Sequence, residues 1–328
     1  MRFQHEQQIA IQAVIQAAEL CQQVRTQLRQ AERMTKDDRS PVTVADFGAQ
    51  ALVLKALGKA FPDDRVVAEE DAADLVEPSQ QDLRERVVHH VQSIDPDFSE
   101  QAIIAAINRG QHGGGNDGRF WALDPIDGTK GFLRNDQYAI ALALIENGEG
   151  VLGVLGCPSL PQEGVAQNSH PLGCLLVAAK GQGAQLLSLQ GNLLDTLQVA
   201  NISDPRRARV CESVESGHSR QDQSALIAQQ LGITQPSLRM DSQCKYAAIA
   251  RADASIYLRL PTRPGYAEKI WDHAAGAIVV AEAGGKVTDI HGTPLDFSLG
   301  RTLQRNQGVV ATNGHLHDAV INAVQASL

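Results

Sequence analysis

Between residues 138 and 189 four apolar runs flank two short glycine-rich breaks, and no other feature of the chain narrows its fold as much. Tyr138 to Ile145 and Val151 to Gly156 surround Glu146-Asn147-Gly148-Glu149-Gly150, while Leu175 to Ala179 and Ala184 to Leu189 surround Lys180-Gly181-Gln182-Gly183. Breaks this short return a strand antiparallel to its predecessor, so two β-hairpins are expected here.

The flanks of this region read differently. Residues 5 to 33 set Ile9, Ile11, Val14, Ile15, Ala18 and Leu20 among many glutamines, which predicts one long amphipathic helix. A polar stretch, Lys36 to Ser40, then leads to Pro41-Val42-Thr43-Val44, expected to be extended, and to a helix from Asp46 to Lys59. Val66-Val67-Ala68 is a short strand followed by Glu69, Glu70 and Asp71. Pro78 to Gly118 reads as an insertion, helical in parts, with a mobile end at Gly113-Gly114-Gly115-Asn116. Phe120 to Leu123 is the next strand.

The pattern changes near Ser203-Asp204-Pro205-Arg206-Arg207. Beyond it, strands (Ile256 to Leu260, Lys286 to Ile290, Gly308 to Ala311) alternate with helices (Gln221 to Leu231, Asp272 to Ala283). Hairpins first and α/β alternation second predict an α+β / α/β protein of layered sheets and helices. The expected division is an N-terminal α+β domain, 1–203, and a C-terminal α/β domain, 204–328.

Five carboxylates stand where predicted strands or loops end or helices begin: Asp46, Glu69, Asp124, Asp127 and Asp272. Such positions let separate elements aim side chains into one cleft. The ligands are hard oxygens with no Cys or His cluster nearby, which suits Mg²⁺ rather than Zn²⁺. In Asp124-Pro125-Ile126-Asp127 the proline stiffens a turn, so both carboxylates and the Ile126 carbonyl can face one ion. Gly128 and Thr129 open a short helical segment whose unpaired N–H groups suit a phosphate. Carboxylate-held metals beside a phosphate seat imply phosphoryl chemistry, with two ions about 3.5–4 Å apart activating water and stabilising the leaving oxygen.

Each piece alone has a plainer explanation. Asp46 and Asp272 serve equally well as helix N-caps. Glu69-Glu70-Asp71 suits a solvated acidic turn, and Asp127-Gly128 a simple turn. Lys245 reads as a solvated lysine, and Arg259, between Leu258 and Leu260, as an edge-strand ion pair. His89-His90 and His315-x-His317 read as surface histidines.

Composition excludes some partners. A net charge of −9 with no long basic block argues against nucleic acid. No apolar run approaches the roughly 18 residues of a membrane span, and Arg2, His5 and Glu6 do not suit a signal peptide. Five scattered cysteines without a CxxC pair suggest a reducing compartment, so the expected location is cytoplasmic.

"DPIDGT" (124–129), "EE" (69–70) and "WDHAAGAIVVAEAGG" (271–285) resemble the lithium-sensitive, Mg²⁺-dependent phosphatase superfamily of inositol monophosphatase. "TKDDRSPVTVADFGAQ" (35–50), "FPDDRVVAEED" (61–71), "GRFWALDPIDGTKGFLR" (118–134), "GHS" (217–219), "DSQCKY" (241–246) and "YLRLPTRPGYAEKIWDHAAG" (257–276) are similar to its 3′(2′),5′-bisphosphate nucleotidase branch. These segments cover nearly the whole chain in the expected order.

The resemblance implies an αβαβα sandwich that removes the 3′-phosphate of adenosine 3′,5′-bisphosphate (PAP), and of its sulfated relative PAPS. It implies two or three Mg²⁺ ions on Glu69, Asp124, Asp127, Asp272 and the Ile126 carbonyl, with inhibition by Li⁺. Asp46 and Thr129 are implied to orient and deprotonate the attacking water. Gly128, Thr129, His218, Ser242, Lys245, Arg259 and Asp272 are implied to contact substrate. Monomer and homodimer both remain open. So do two alternatives on the same scaffold, an inositol monophosphatase and a non-catalytic PAP sensor.

Overall fold

The structure, a computed structural model, describes residues 2–31, 40–164, 173–214, 220–263 and 265–328. The first half supplies helices α1 (Gln4–Ala31), α2 (Ser40–Ala60), α3 (Ala73–Val76), α4 (Gln81–Ile94), α5 (Glu100–Asn108) and α6 (Thr129–Arg134). It also supplies strands β1 (Arg65–Ala68), β2 (Arg119–Asp127), β3 (Ala139–Glu146), β4 (Glu149–Cys157), β5 (Cys174–Ala179), β6 (Ala184–Ser188) and β7 (Leu193–Leu197). The second half supplies β8 (Val210–Glu212), α7 (Gln221–Gln230), β9 (Leu238–Arg239), α8 (Cys244–Ala250) and β10 (Ile256–Arg259). It ends with α9 (Ala274–Glu282), β11 (Lys286–Thr288), β12 (Val309–Thr312) and α10 (His317–Ser327).

These elements stack as αβαβα. The first sheet has seven strands in sequence order, with β1 parallel to β2 and every later neighbour antiparallel. The two expected hairpins are its β3–β4 and β5–β6 pairs. The second sheet has the order β11-β12-β10-β8-β9. Helices α1, α2, α4 and α5 cover the outer face of the first sheet, α8 and α9 lie between the sheets, and α7 and α10 cover the second.

Strand alternation sorts the apolar residues among these layers. On β2, Trp121 and Leu123 face the outer helices, while Phe120 and Ala122 face the middle layer. On β12, Val309 and Ala311 face the middle layer, and Val310 packs under α10. The middle helices therefore share one core with both sheets. The halves 1–203 and 204–328 stand as our proposed division within that continuous packing.

Several local expectations are corrected. Pro41 to Val44 is helical, because α2 begins at Ser40 and proline in a first turn has no intrahelical N–H bond to lose. Asp46 therefore sits inside α2 and caps nothing. The segment from Pro78 is no loose insertion: Val87 and Val91 of α4 and Ile103 and Ile107 of α5 are buried in the outer core. In its glycine-rich end Gly114 is packed, since a Cβ there would lie 2.8 Å from the Gly300 carbonyl, whereas Gly113 and Gly115 face open space. His90 and His317 are buried, and His317 bonds Thr288 Oγ1 at 2.9 Å and Thr312 Oγ1 at 3.0 Å. All five cysteines are free and buried, with Cys157 and Cys174 opposite one another on β4 and β5. Most of the polar stretch from Lys36 lies outside the described residues.

Close contact between α9 and the first sheet depends on Gly153. A Cβ there would lie 2.3 Å from Ile278 Cγ2 and 2.7 Å from the Ala275 carbonyl oxygen, so the helix backbone would have to shift. Gly153→Ala is expected to destabilise the fold by about 1–3 kcal/mol, the usual cost of overpacking. The midpoint of chemical denaturation at constant slope measures it.

Candidate active site

One cavity of about 240 Å³ collects the expected residues from both halves. Glu69, Asp124, Ile126, Asp127, Gly128 and Thr129 line it from the first half, and Ser242, Lys245, Arg259 and Asp272 from the second. Asp46 is buried and is not among the lining side chains. His218 lies outside the described residues.

Local chemistry explains how the carboxylates meet. In a regular strand Asp124 and Asp127, three residues apart, would point to opposite faces. Pro125 has no N–H to give the ladder, and the pairing with β3 slips there: Asp124 opposes Ala141 and Asp127 opposes Ala139. The one extra residue is a β-bulge that returns both carboxylates to the same cavity.

The chain then leaves β2 through Gly128, at φ +89°. A Cβ on Gly128 would also lie 2.9 Å from Ser242 Cβ. Ser242 itself occupies the left-handed region at φ +65°, a strained conformation for a serine at the cleft wall. Asp272 closes a 3₁₀ turn before α9, and the helix cap is His273, without a side-chain capping bond. The Asp272 carboxylate is thus not spent on capping.

The electrostatics are lopsided. Burial first, and mutual repulsion second, push Asp46, Asp124 and Asp272 well above the ordinary carboxylate range. Desolvation by the crowded cleft also raises Glu69, although its side chain remains exposed, while a hydrogen bond with Asp124 opposes that rise. Asp46 Oδ1 and Asp124 Oδ1 are buried without a hydrogen-bond partner. Repelling, buried, partly unpaired oxygens are what a hard divalent cation neutralises, so the donor set fits Mg²⁺. Opposite them, Lys245 is buried and its ammonium is pushed down by desolvation, with Asp127 pulling the other way. Arg259 pairs with Glu268 as its chemistry suggested, but β10 is the middle strand of the second sheet rather than an edge.

A sequence model of the inositol monophosphatase family matches residues 3–328. The chain belongs to the inositol monophosphatase family. It is 45% identical over 340 residues to a Schizosaccharomyces pombe protein named 3′(2′),5′-bisphosphate nucleotidase, covering 99% of this chain and 96% of the relative. A protein of the same name from Emericella nidulans is 46% identical over 351 residues, covering 100% and 99%. The solved inositol monophosphatase from Anabaena superposes with a TM-score of 0.66 at 22% identity, covering 99% of this chain and 97% of that one. That likeness shows the layered fold of the family. Among the described residues no helix is long and apolar enough to cross a membrane.

Sequence reasoning missed the residues that brace this cavity. The Gln243 N–H donates to Asp127 Oδ2 at 2.5 Å, and its side chain spans the Trp271 carbonyl (2.8 Å) and the Gly276 N–H (2.9 Å). Arg301 donates to the carbonyls of Ala68 (2.6 Å), His112 (3.1 Å) and Gly110 (3.3 Å), holding the end of β1 just before Glu69. Gln50 accepts from the Glu70 N–H at 3.1 Å and donates to the Glu70 carbonyl at 2.8 Å. Gln50 was accessible to sequence reasoning, because it follows Asp46 by four residues on one helical face. Gln243 and Arg301 carry no such signal.

The acids give a signed pH prediction. Groups that bind protons more tightly when folded favour folding at low pH, and that contribution is lost as pH rises past the unfolded carboxylate range. In EDTA, the melting temperature is therefore expected to fall between pH 5 and 8, and Mg²⁺ to restore it. Asp124→Asn should raise the EDTA melting temperature at pH 8 by a few degrees. Calorimetry across pH tests both; a flat EDTA profile contradicts them.

Proposed function

We propose that this chain is a Mg²⁺-dependent phosphomonoesterase that hydrolyses the 3′-phosphate of PAP to give AMP, and that it also accepts PAPS. One observation carries the reading. A single cavity gathers four mutually repelling carboxylates, Glu69, Asp124, Asp127 and Asp272, with a buried unpaired oxygen on Asp124, and sets them against the basic side chains of Lys245 and Arg259. A cavity of that polarity suits a substrate with two phosphates, one met by metal and one by cations. The names of the curated relatives favour the same substrate.

In this reading Glu69, Asp124, Asp127, Asp272 and the Ile126 carbonyl hold two or three Mg²⁺ ions. When bound, these ions supply positive charge to the phosphoryl oxygens and make water acidic enough for a weak base. Thr129 orients the attacking water from the cavity wall and passes its proton to Asp46. The burial and neighbouring Glu70 and Glu69 that raise the proton affinity of Asp46 suit it to receive that proton. The first N–H groups of α6, at Gly128 and Thr129, seat the reacting phosphate. Ser242, Lys245 and Arg259, with His218, select the nucleotide and its 5′-phosphate. Turnover is inhibited by Li⁺, the protein works in the cytoplasm as a monomer or homodimer, and it binds neither nucleic acid nor membranes.

Phosphate release from PAP, PAPS and inositol 1-phosphate, each with and without Mg²⁺, tests the proposal. A preference for the inositol ester overturns the substrate assignment, and PAP binding without turnover makes the protein a sensor. Asp127→Asn should lower kcat at least about a hundredfold with an unchanged fold by circular dichroism. Arg259→Ala should raise KM for PAP about tenfold or more, and leave KM for a monophosphate nearly unchanged. Equal effects on both substrates exclude Arg259 as the reader of the second phosphate.

A further inference from the structure

Arg259 stands between two carboxylates. Its Nη2 lies 2.8 Å from Glu268 Oε2 and 3.9 Å from Asp272 Oδ2. Glu268 is buried outside the cavity lining, whereas Asp272 lines it. Ligand atoms of Glu268, Asp272 and His273 lie within 4.8 Å of one another, a spacing that by itself would suit a cation. The contacts show that two of the three, Glu268 and His273, are already engaged. Arg259 supplies positive charge to Glu268, and His273 Nε2 approaches the same oxygen at 3.4 Å. His273 Nδ1 is taken up by the Tyr246 hydroxyl at 2.7 Å. Glu268 is therefore fixed from two sides, and the guanidinium is fixed by Glu268.

We propose that Glu268 is a positioning residue that anchors Arg259 away from Asp272, keeping that carboxylate available as a metal ligand. The inference rests on the reading of Asp272 as a ligand. Without the negative charge on Glu268, the nearest full charge for the guanidinium is Asp272. Arginine would then compete with the cation for the same oxygen, because bonds to an ionised acceptor are stronger than bonds to a neutral one. Glu268 thus separates two uses of positive charge at one site: a divalent ion on Asp272, and a guanidinium facing substrate.

Titration calorimetry of the full chain with MgCl₂ alone, without substrate, tests this. Glu268→Gln should weaken Mg²⁺ binding about tenfold, the scale of a charge-assisted hydrogen bond formed in competition. Removing the competitor in Glu268→Gln/Arg259→Ala should return the affinity to within about twofold of the parent. Unchanged affinity in Glu268→Gln, or no recovery in the double variant, overturns the proposal. A merely structural role for Glu268 predicts no recovery, since the double variant removes a further buried contact. Should Glu268→Gln fail to fold, Arg259→Ala alone decides. Mg²⁺ binding as tight as the parent's, or tighter, supports competition, and weaker binding overturns it. Asp272→Asn is the control for the underlying reading. If it leaves Mg²⁺ binding unchanged, Asp272 is not a ligand and that reading fails; if it weakens binding while Glu268→Gln does not, only the Glu268 inference fails.

Discussion

A proline that cannot donate a hydrogen bond sets the geometry on which the cavity depends. Pro125 interrupts the β2–β3 ladder, and the one-residue bulge between Asp124 and Asp127 turns two side chains that would diverge toward a common point. Holding a buried Asp124 beside a half-buried Asp127 would be costly in an isolated hairpin, because each ionised form repels the other. The strand tolerates it because β1 and β3 pair it on both edges and helical layers cover both faces. Fold stability is thus spent locally on a cluster that a cation relieves.

The middle helical layer decides where the second half meets that cluster. Asp272 arrives at the start of α9, and Gly153 permits the close contact that seats α9 on the first sheet. Gln243 then joins three things with one residue: the Asp127 carboxylate, the backbone just before Asp272, and the first turn of α9. Relative placement of the proposed ligands from the two halves is therefore a property of buried packing and hydrogen bonds.

This division explains what was readable in advance. The hairpins, the long first helix and the α/β alternation follow from periodicity and glycine placement, which are local signals. The residues lining the cavity were legible because chemistry-bearing side chains cluster at element ends and match a family pattern in order. The first turn of α2 misled because Val42, Thr43 and Val44 are β-branched, yet proline-led helix initiation and burial against α1 outweigh a small propensity penalty. Residues 78–118 misled because their charged surface hides the few positions, such as Val87 and Ile103, that enter the core. Arg301 and Glu268 were invisible for another reason. Each acts on partners that only the tertiary fold brings near: the carbonyls of Ala68, Gly110 and His112 for one, and Arg259 for the other.

Charge at the cavity can then be followed from net composition to single atoms. The chain is acidic overall, at −9, and its cavity concentrates that excess on Asp124, Asp127, Glu69 and Asp272. Lys245 and Arg259 share the space, and an unrestrained guanidinium would seek the strongest nearby carboxylate. Lys245 is held under desolvation within reach of the field of Asp127, and its ammonium lies 5.3 Å from the centre of the Tyr257 ring. Arg259 is held by Glu268, itself braced by His273 and, through it, Tyr246. Lys245 is therefore placed by groups of the cavity wall itself, and Arg259 by a buried partner behind it. A site that must bring anionic oxygens beside metal-binding carboxylates needs this separation, because positive side chains free to collapse onto the carboxylates would cancel the charges that both metal and substrate require.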